Sequence, residues 1–237
     1  MADCYPSVTA TTRLLALLGH PVDHSLSPVI QNAALRADGV DMVYVAFDVS
    51  SDHLGAAVQG LRALGARGAN VTVPHKEHVI DHLDRLDALA AQVGAVNTIV
   101  NDGGVLTGRN TDVEGFRATL DRVVPGDLQR TRCLVVGAGG AARAVVAALC
   151  SAQVADILVA NRTRGRAEAL CAAAAGWGVS SCSPLGLDEI PGVASSADVL
   201  VNATSLGLDP TVKECALPVD TLNRGQVVID VVYGTGP

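Results

Sequence analysis

The chain has 237 residues and a formal net charge of −7, with 24 acidic side chains against 17 basic ones. That length suits one large domain or two compact ones, and the negative balance argues against a nucleic-acid surface or an anionic membrane as partner. Apolar residues make up 49% but aromatics only 3%, a core of Ala, Val and Leu of the kind that packs helices onto parallel sheets. Cys4, Cys133, Cys150, Cys171, Cys182 and Cys215 show no C-x-x-C spacing and no matched histidines, so neither a zinc site nor a disulfide framework is expected. They read as buried free thiols in a reducing compartment. The N-terminus has no charged region followed by an apolar stretch, and Leu14 to Leu18 is too short for a signal or a membrane span. A cytoplasmic protein is expected.

In chain order, short apolar runs alternate with helical segments. Arg13–Leu18, Met42–Phe47 and Ala69–Val73 read as strands, and Pro28–Ala37, Asp52–Ala63 and Pro74–Arg85 as the helices that follow them. Thr98–Val100 and Val105–Leu106 flank Asn101-Asp102-Gly103-Gly104, a hairpin signal. Thr111–Val123 is a longer helix, ended by Pro125-Gly126. From Arg132 a second series places strands at Cys133–Val136, Ile157–Ala160, Val199–Val201 and Val227–Val231, with helices at Ala141–Cys150 and Arg166–Ala174. The alternation predicts an α/β protein made of βαβ units with mostly parallel sheets.

Lys76 stands out. It is one of two lysines, with Lys213, in a chain that otherwise carries its positive charge on fifteen arginines. An ammonium can give up a proton when desolvated, whereas a guanidinium effectively cannot. Lys76 closes the strand-like run Gly68–Val73 after Pro74-His75, and the carboxyl end of a strand is where open α/β sheets bind ligands. A surface lysine on a helix's first turn is the plainer alternative; the rarity of lysine and the polar neighbours Asn70 and Thr72 favour a catalytic role.

Cys133–Val136 runs into Gly137-Ala138-Gly139-Gly140-Ala141-Ala142, a G-x-G-x-x-A pattern between a strand and a helix. Gly137 permits the tight turn, Gly139 lets a pyrophosphate approach, and the helix start offers free N–H groups to phosphates. The next strand ends in Asn161-Arg162-Thr163, where an NAD-binding chain would place a carboxylate for the ribose 2′-hydroxyl. No carboxylate is there. Arg162, Thr163, Arg164 and Arg166 form a cationic and hydroxyl cluster suited to a 2′-phosphate, so NADP(H) is favoured; a solvated arginine loop is the alternative, easier to accept for Arg164 than for Arg162. The expected organisation is a substrate-binding catalytic domain at 1–112 and a Rossmann dinucleotide-binding domain at 113–237, facing each other across a cleft.

Ser25, Ser27 and Pro28 follow the first strand. Ser27 reads as an N-cap with Pro28 at the first helical position, which leaves Ser25 as the hydroxyl without a structural reason. Asn97-Thr98 and Asn110-Thr111-Asp112 add uncharged donors and one carboxylate at strand ends, with a helix N-cap as the alternative role for Asp112.

Together these residues resemble the shikimate dehydrogenase family. The matching stretches are Ser25-x-Ser27-Pro28, Asn70-Val71-Thr72-Val73-Pro74-x-Lys76, Gly94-Ala95-Val96-Asn97-Thr98, Asn110-Thr111-Asp112, the loop from Gly137 to Ala141, Asn161-Arg162-Thr163, Asn202-Ala203-Thr204-Ser205 and Asp230-x-x-Tyr233. The resemblance implies reversible NADPH-dependent reduction of 3-dehydroshikimate to shikimate, with Lys76 and Asp112 as the catalytic pair and no metal. It implies Ser25, Ser27, Asn70, Thr72, Asn97 and Tyr233 on the substrate. On the cofactor it implies Gly137, Ala138, Gly139, Gly140, Ala141, Asn161, Arg162, Thr163, Arg166, Thr204 and, beside the nicotinamide, Val231. The family continues past the last strand with helices that return to the first domain and supply a further Gln; this chain ends at Pro237. A quinate/shikimate or amino-analogue dehydrogenase, and a non-catalytic metabolite or NADP sensor, are the competing expectations. The expected partners are small molecules, without nucleic acid or membrane, for a monomer or homodimer.

Overall fold

Strand β1 (Arg13–Gly19) is an uninterrupted apolar run because both its edges are paired, with β2 (Met42–Asp48) on one side and β3 (Gly68–Val71) on the other, all parallel. The computed structural model describes residues 8–124, 126–207, 215–217 and 219–232. Its chain divides into two units, Met1–Asn110 and Thr111–Pro237.

In the first unit β1 is followed by α1 (Ser27–Ala37), β2 by α2 (Leu54–Ala63), and β3 by β4 (Arg85–Leu86), α3 (Ala88–Val93), β5 (Thr98–Asp102) and β6 (Val105–Arg109). The strands form one sheet in the order β2-β1-β3-β5-β6-β4. β5 runs antiparallel to β3 and β6, because the two-residue turn Gly103-Gly104 reverses the chain with φ of 58° and 92°. Positive φ at both central residues is the hairpin geometry that matches strand twist, and glycine adopts it without steric cost. Asn101 secures the turn by accepting from Gly104 N–H at 2.9 Å and donating to the Ala66 carbonyl at 2.7 Å.

The core of this unit lies on the α2 side. Leu54, Val58 and Leu61 recur at helical spacing and pack on Leu18, Val71, Ile99 and Leu106. Helix α1, by contrast, buries none of its residues fully, and Val29 and Ile30 are exposed. It is tied to the sheet by Asn32, whose side chain accepts from Tyr44 N–H and donates to the Tyr44 carbonyl, both at 2.9 Å. β2 is an edge strand, so these are backbone groups that no neighbouring strand would satisfy.

The second unit starts with α4 (Asp112–Val123), then β7 (Arg132–Val136), α5 (Gly140–Ser151), β8 (Asp156–Ala160), α6 (Arg164–Ala174), β9 (Cys182–Leu185), α7 (Ile190–Val193), β10 (Val199–Asn202) and β11 (Val227–Asp230). All five strands are parallel in the order β11-β10-β7-β8-β9. This is the doubly wound order with its reversal between β7 and β10, the position where such sheets bind ligands. Helix α5 is buried almost all round: Ala142 and every residue from Ala144 to Cys150 lie inside, and α4 packs along it. Among the described residues no helix is long and apolar enough to cross a membrane.

The α/β expectation and its βαβ series hold, with four corrections. Pro74–Arg85 is not a helix: it makes a turn, a single 3-10 segment at His78–His82, and then β4. One turn is enough to bury Val79 and to lay Ile80 and Leu83 on the core. Asp84 then stops further winding by accepting from Leu106 N–H at 2.7 Å. Second, Ser27 is not the cap of α1: Leu26 holds that position with no side-chain bond, and it is Ser25 whose hydroxyl accepts from Ser27 N–H at 3.3 Å. Third, β9, α3 and β4 were not foreseen, because Cys182-Ser183-Pro184-Leu185 and its short counterparts carry too little periodicity. Fourth, the thiols are not uniformly buried, since Cys182 is half-buried and Cys215 exposed.

Candidate active site

Because β1, β2 and β3 are parallel, their carboxyl ends share one edge of the first sheet, and β5 opposes β3 so that its first residue, Thr98, pairs with Asn70. That edge collects Ser25 and Ser27 after β1, Asn70 at the end of β3, Thr72 and Lys76 just beyond it, and Asn97 before β5. Asn110 leaves β6 at the same edge. It is buried, and its amide donates to the Ala95 carbonyl at 2.9 Å.

A line of hydrogen bonds orients the amides. Tyr44 hydroxyl donates to Asn70 Oδ1 at 2.8 Å; Asn70 Nδ2 donates to the Asn97 carbonyl at 3.3 Å and to Thr98 Oγ1 at 3.2 Å; Thr98 hydroxyl donates to Asn97 Oδ1 at 3.0 Å. Each acceptor used in this way fixes which end of the amide faces outward. Lys76 is half-buried, and its backbone is held on both sides: its carbonyl accepts from Val96 N–H at 2.7 Å, and the preceding His75 is fully buried with Nε2 2.6 Å from the Val49 carbonyl. A carbonyl only accepts, so Nε2 carries the hydrogen. His75 Nδ1 is buried and makes no hydrogen bond among the described residues. A hollow of about 240 Å³ lies against the same strands, lined among others by Tyr44, Gly68, Asn70, Thr98 and Val100. Tyr44 and His75 were missed in the sequence, because a tyrosine inside a strand and a histidine in a turn carry no signal of what they touch.

Asp112 opens α4 in the second unit, two residues after Asn110. The cap position belongs to Thr111, which makes no side-chain cap bond, so Asp112 stands within the first turn rather than in the cap.

The second unit gathers its candidates at the carboxyl ends of four parallel strands. Gly137 follows β7 with φ of 119°, and a Cβ there would collide with the Ala203 carbonyl after β10. Glycine is therefore required by conformation and by space. Gly139 caps α5 without a side chain, so no side chain competes for the first N–H groups of the helix, the arrangement that fits a pyrophosphate. After β8, Asn161 donates from its side chain to the Thr163 carbonyl at 3.0 Å, and Thr163 sits at the cap of α6 with its hydroxyl making no cap bond. Arg164 is engaged by Glu168 and Glu189. Arg162 is exposed and forms no ion pair among the described residues. Arg166 is exposed on the first turn of α6.

Thr204 and Val231 are ordered by two residues that the sequence offered only as part of motifs. Asn202 Oδ1 accepts from Thr204 N–H at 3.1 Å and from its hydroxyl at 2.7 Å, while Asn202 Nδ2 donates to Asp230 Oδ1 at 3.1 Å. Asp230 also accepts from Val232 N–H at 2.8 Å, and Val231 N–H reaches the Asn202 carbonyl at 3.1 Å. The loops after β10 and β11 are thus one hydrogen-bonded assembly. Tyr233 lies outside the described residues.

Residues 17–99 match the family model of the shikimate dehydrogenase substrate binding domain, and residues 119–230 that of shikimate / quinate 5-dehydrogenase. The chain is 50% identical over 228 residues to shikimate dehydrogenase (NADP(+)) of Moorella thermoacetica, covering 95% of this chain and 77% of that one. Its fold is similar to that of shikimate 5-dehydrogenase from Thermus thermophilus in complex with NADP(H) and shikimate, with a TM-score of 0.78, 37% identity, and 94% and 80% of the two chains covered. It is also similar to quinate dehydrogenase from Corynebacterium glutamicum in complex with NAD, with a TM-score of 0.82, 34% identity, and 94% and 80% covered. With the strand-end polar edge, the glycine turn at the sheet reversal and both halves of the chain matched in order, this chain belongs to the shikimate dehydrogenase family.

Proposed function

We propose that this chain catalyses the reversible NADPH-dependent reduction of 3-dehydroshikimate to shikimate. The observation that carries the reading is the edge of the first sheet, where residues with hydroxyl and amide side chains share a strand end with Lys76, one of two lysines in a chain that otherwise uses arginine. A polyhydroxylated carboxylate needs such neutral donors and acceptors, and the family supplies the substrate class. Residues 1–112 bind substrate and 113–237 the cofactor.

Bound NADPH supplies the hydride. The carbonyl oxygen that receives negative charge is stabilised and protonated by the Lys76 ammonium, and in the reverse direction Lys76 takes that proton back. Asp112, the other member of the catalytic pair that the family implies, accepts from the neighbouring substrate hydroxyl. Ser25, Ser27, Asn70, Thr72, Asn97 and Tyr233 hold the carboxylate and the remaining hydroxyls. Gly137 to Ala141 would hold the pyrophosphate, Arg162 and Thr163 the 2′-phosphate with Asn161 and Arg166 beside them, and Thr204 and Val231 the nicotinamide end. An exposed arginine with no ion pair among the described residues and a cap hydroxyl without a cap bond are groups suited to a phosphate, and they favour NADP(H) over NAD. On this reading the enzyme works in the cytoplasm on small molecules alone, as a monomer or homodimer.

The test is a steady-state assay of reduced-nicotinamide formation with shikimate or quinate, each against NADP⁺ and NAD⁺. Shikimate with NADP⁺ is expected to give the highest kcat/KM of the four pairs. A preference for quinate with NAD⁺ would replace the substrate and cofactor assignment, and turnover with none of them would leave a sensor on the same scaffold.

A further inference from the structure

Helix α6 and edge strand β9 carry a thiol pair that the hydride chemistry does not use. Cys171, on the buried stripe of α6 with Ala167, Leu170 and Ala174, has its Sγ 2.9 Å from Sγ of Cys182, the first residue of β9. Both are free cysteines, and their separation leaves less than about 1 Å of movement to a covalent S–S bond. Cys182 is half-buried, which gives a small oxidant access, while Cys171 is 7% exposed.

The surroundings select this pair over the other thiols. The Cys182 S–H donates to Cys171 and holds the Cys171 thiol below its ordinary value, and the same bond together with burial pushes Cys182 up. Burial pushes the nearby Cys150 thiol up to about 11 and that of Cys133 up to about 12. The thiolate is the nucleophile in thiol oxidation, so Cys171 is primed and Cys182 lies in contact to resolve it.

We propose that Cys171 and Cys182 form a reversible dithiol–disulfide modification site, oxidised by a hydroperoxide and restored by a dithiol reductant. The Cys171 thiolate attacks the terminal peroxide oxygen, the O–O bond breaks, and the alkoxide leaves as an alcohol with the proton the thiol gave up. Cys182 sulfur then attacks the sulfenic sulfur; hydroxide leaves and takes the Cys182 proton as water. Two sulfurs are oxidised and one peroxide is reduced. The bond would tie an edge strand to the helix above it and close a loop containing Trp177, the only tryptophan of the chain.

The experiment is hydrogen peroxide treatment of the folded protein followed by intact mass, alkylation of remaining thiols and a non-reducing digest. The expected result is a loss of about 2 Da, two fewer alkylated cysteines, and one linked peptide joining Cys171 to Cys182, all reversed by dithiothreitol. Cys182→Ala and Cys171→Ala should each abolish the loss; the half-buried Cys182 is the safer variant for folding. Cys171 and Cys182 both remaining alkylatable, or a link mapped to Cys150–Cys171 or between chains through Cys215, would overturn the proposal. The readout is independent of dehydrogenase activity.

Discussion

Lys76→Ala should lower kcat by roughly 10²–10⁴-fold, the usual weight of a positioned acid–base group, while KM for shikimate stays within several-fold. Steady-state kinetics with the dehydrogenation followed in both directions checks this, and Asp112→Asn should lose most activity in the same assay. Near-normal turnover of the lysine variant would return it to a binding or surface role. Arg162→Ala should weaken NADP⁺ by roughly ten- to over a hundredfold, the equivalent of about 1.5–3 kcal/mol for a charge-assisted bond, and leave NAD⁺ nearly unchanged; calorimetric titration of the two cofactors separates these outcomes. At this scale much was legible in the sequence. Lys76 announced itself by rarity, and Gly137 by its place between strand and helix. Ser27 loses the cap role to Leu26, and Ser25 gains a hydrogen bond from Ser27 N–H, because a one-residue difference in where a helix starts decides which hydroxyl meets which N–H, and the sequence does not resolve helix starts that finely. Tyr44 and His75 act through contacts made across the sheet edge, which no local pattern records.

At the scale of elements, the end of the first sheet depends on a single amide. Asn32→Ala would leave the Tyr44 N–H and carbonyl without their partner at the buried residue of an edge strand. A loss of about 1–3 kcal/mol is expected, read as a lower urea midpoint with unchanged m-value. The β4–β6 corner has an acid-sensitive clamp. Asp84 pairs with Arg62 at 3.0 Å and accepts from Leu106 N–H; the Arg62 bond first, then the backbone bond, lowers its carboxyl below the ordinary 3.8. A folded value below the unfolded one means that the contribution is fully present above about pH 3.8 and is lost as pH falls through the folded value. Asp84→Asn should therefore lower stability near neutrality, where the contribution is present, and change little in strong acid, where it is already lost, which flattens the acid limb of the stability–pH curve. Asp84 is solvent-exposed, so the effect should shrink as salt rises. The same carboxylate explains the missed boundary in this region: Val79, Ile80 and Leu83 have helical spacing, but a side chain that accepts from a neighbouring strand turns the backbone outward before a second helical turn can form.

At the scale of the whole molecule, the βαβ rhythm predicted two parallel-rich sheets because continuous apolar runs such as Leu14–Leu18 and Cys133–Val136 suit strands covered on both faces. Strand order is a different matter: the reversal between β7 and β10 arises from long-range pairing that adjacent residues do not encode. The burial of α5 against the exposure of α1 bears on how the molecule breathes. Amides of α5 can reach solvent only if the sheet beneath it and α4 beside it also part, so their exchange with deuterium should require the largest opening the second unit undergoes. Helix α1, which encloses no side chain completely, can lift away by giving up the Asn32 tether and the partly buried contact of Leu35 with Leu17, Val22 and Tyr44, and its amides should exchange orders of magnitude sooner. Deuterium uptake resolved by peptide should rank α1 among the first segments to label and α5 among the last. Comparable rates in the two helices would mean that the molecule opens all at once. With the expected ranking, Ser25 and Ser27 at the start of α1 belong to a part of the chain that rearranges on its own timescale, long before the glycine turn ahead of α5 is disturbed.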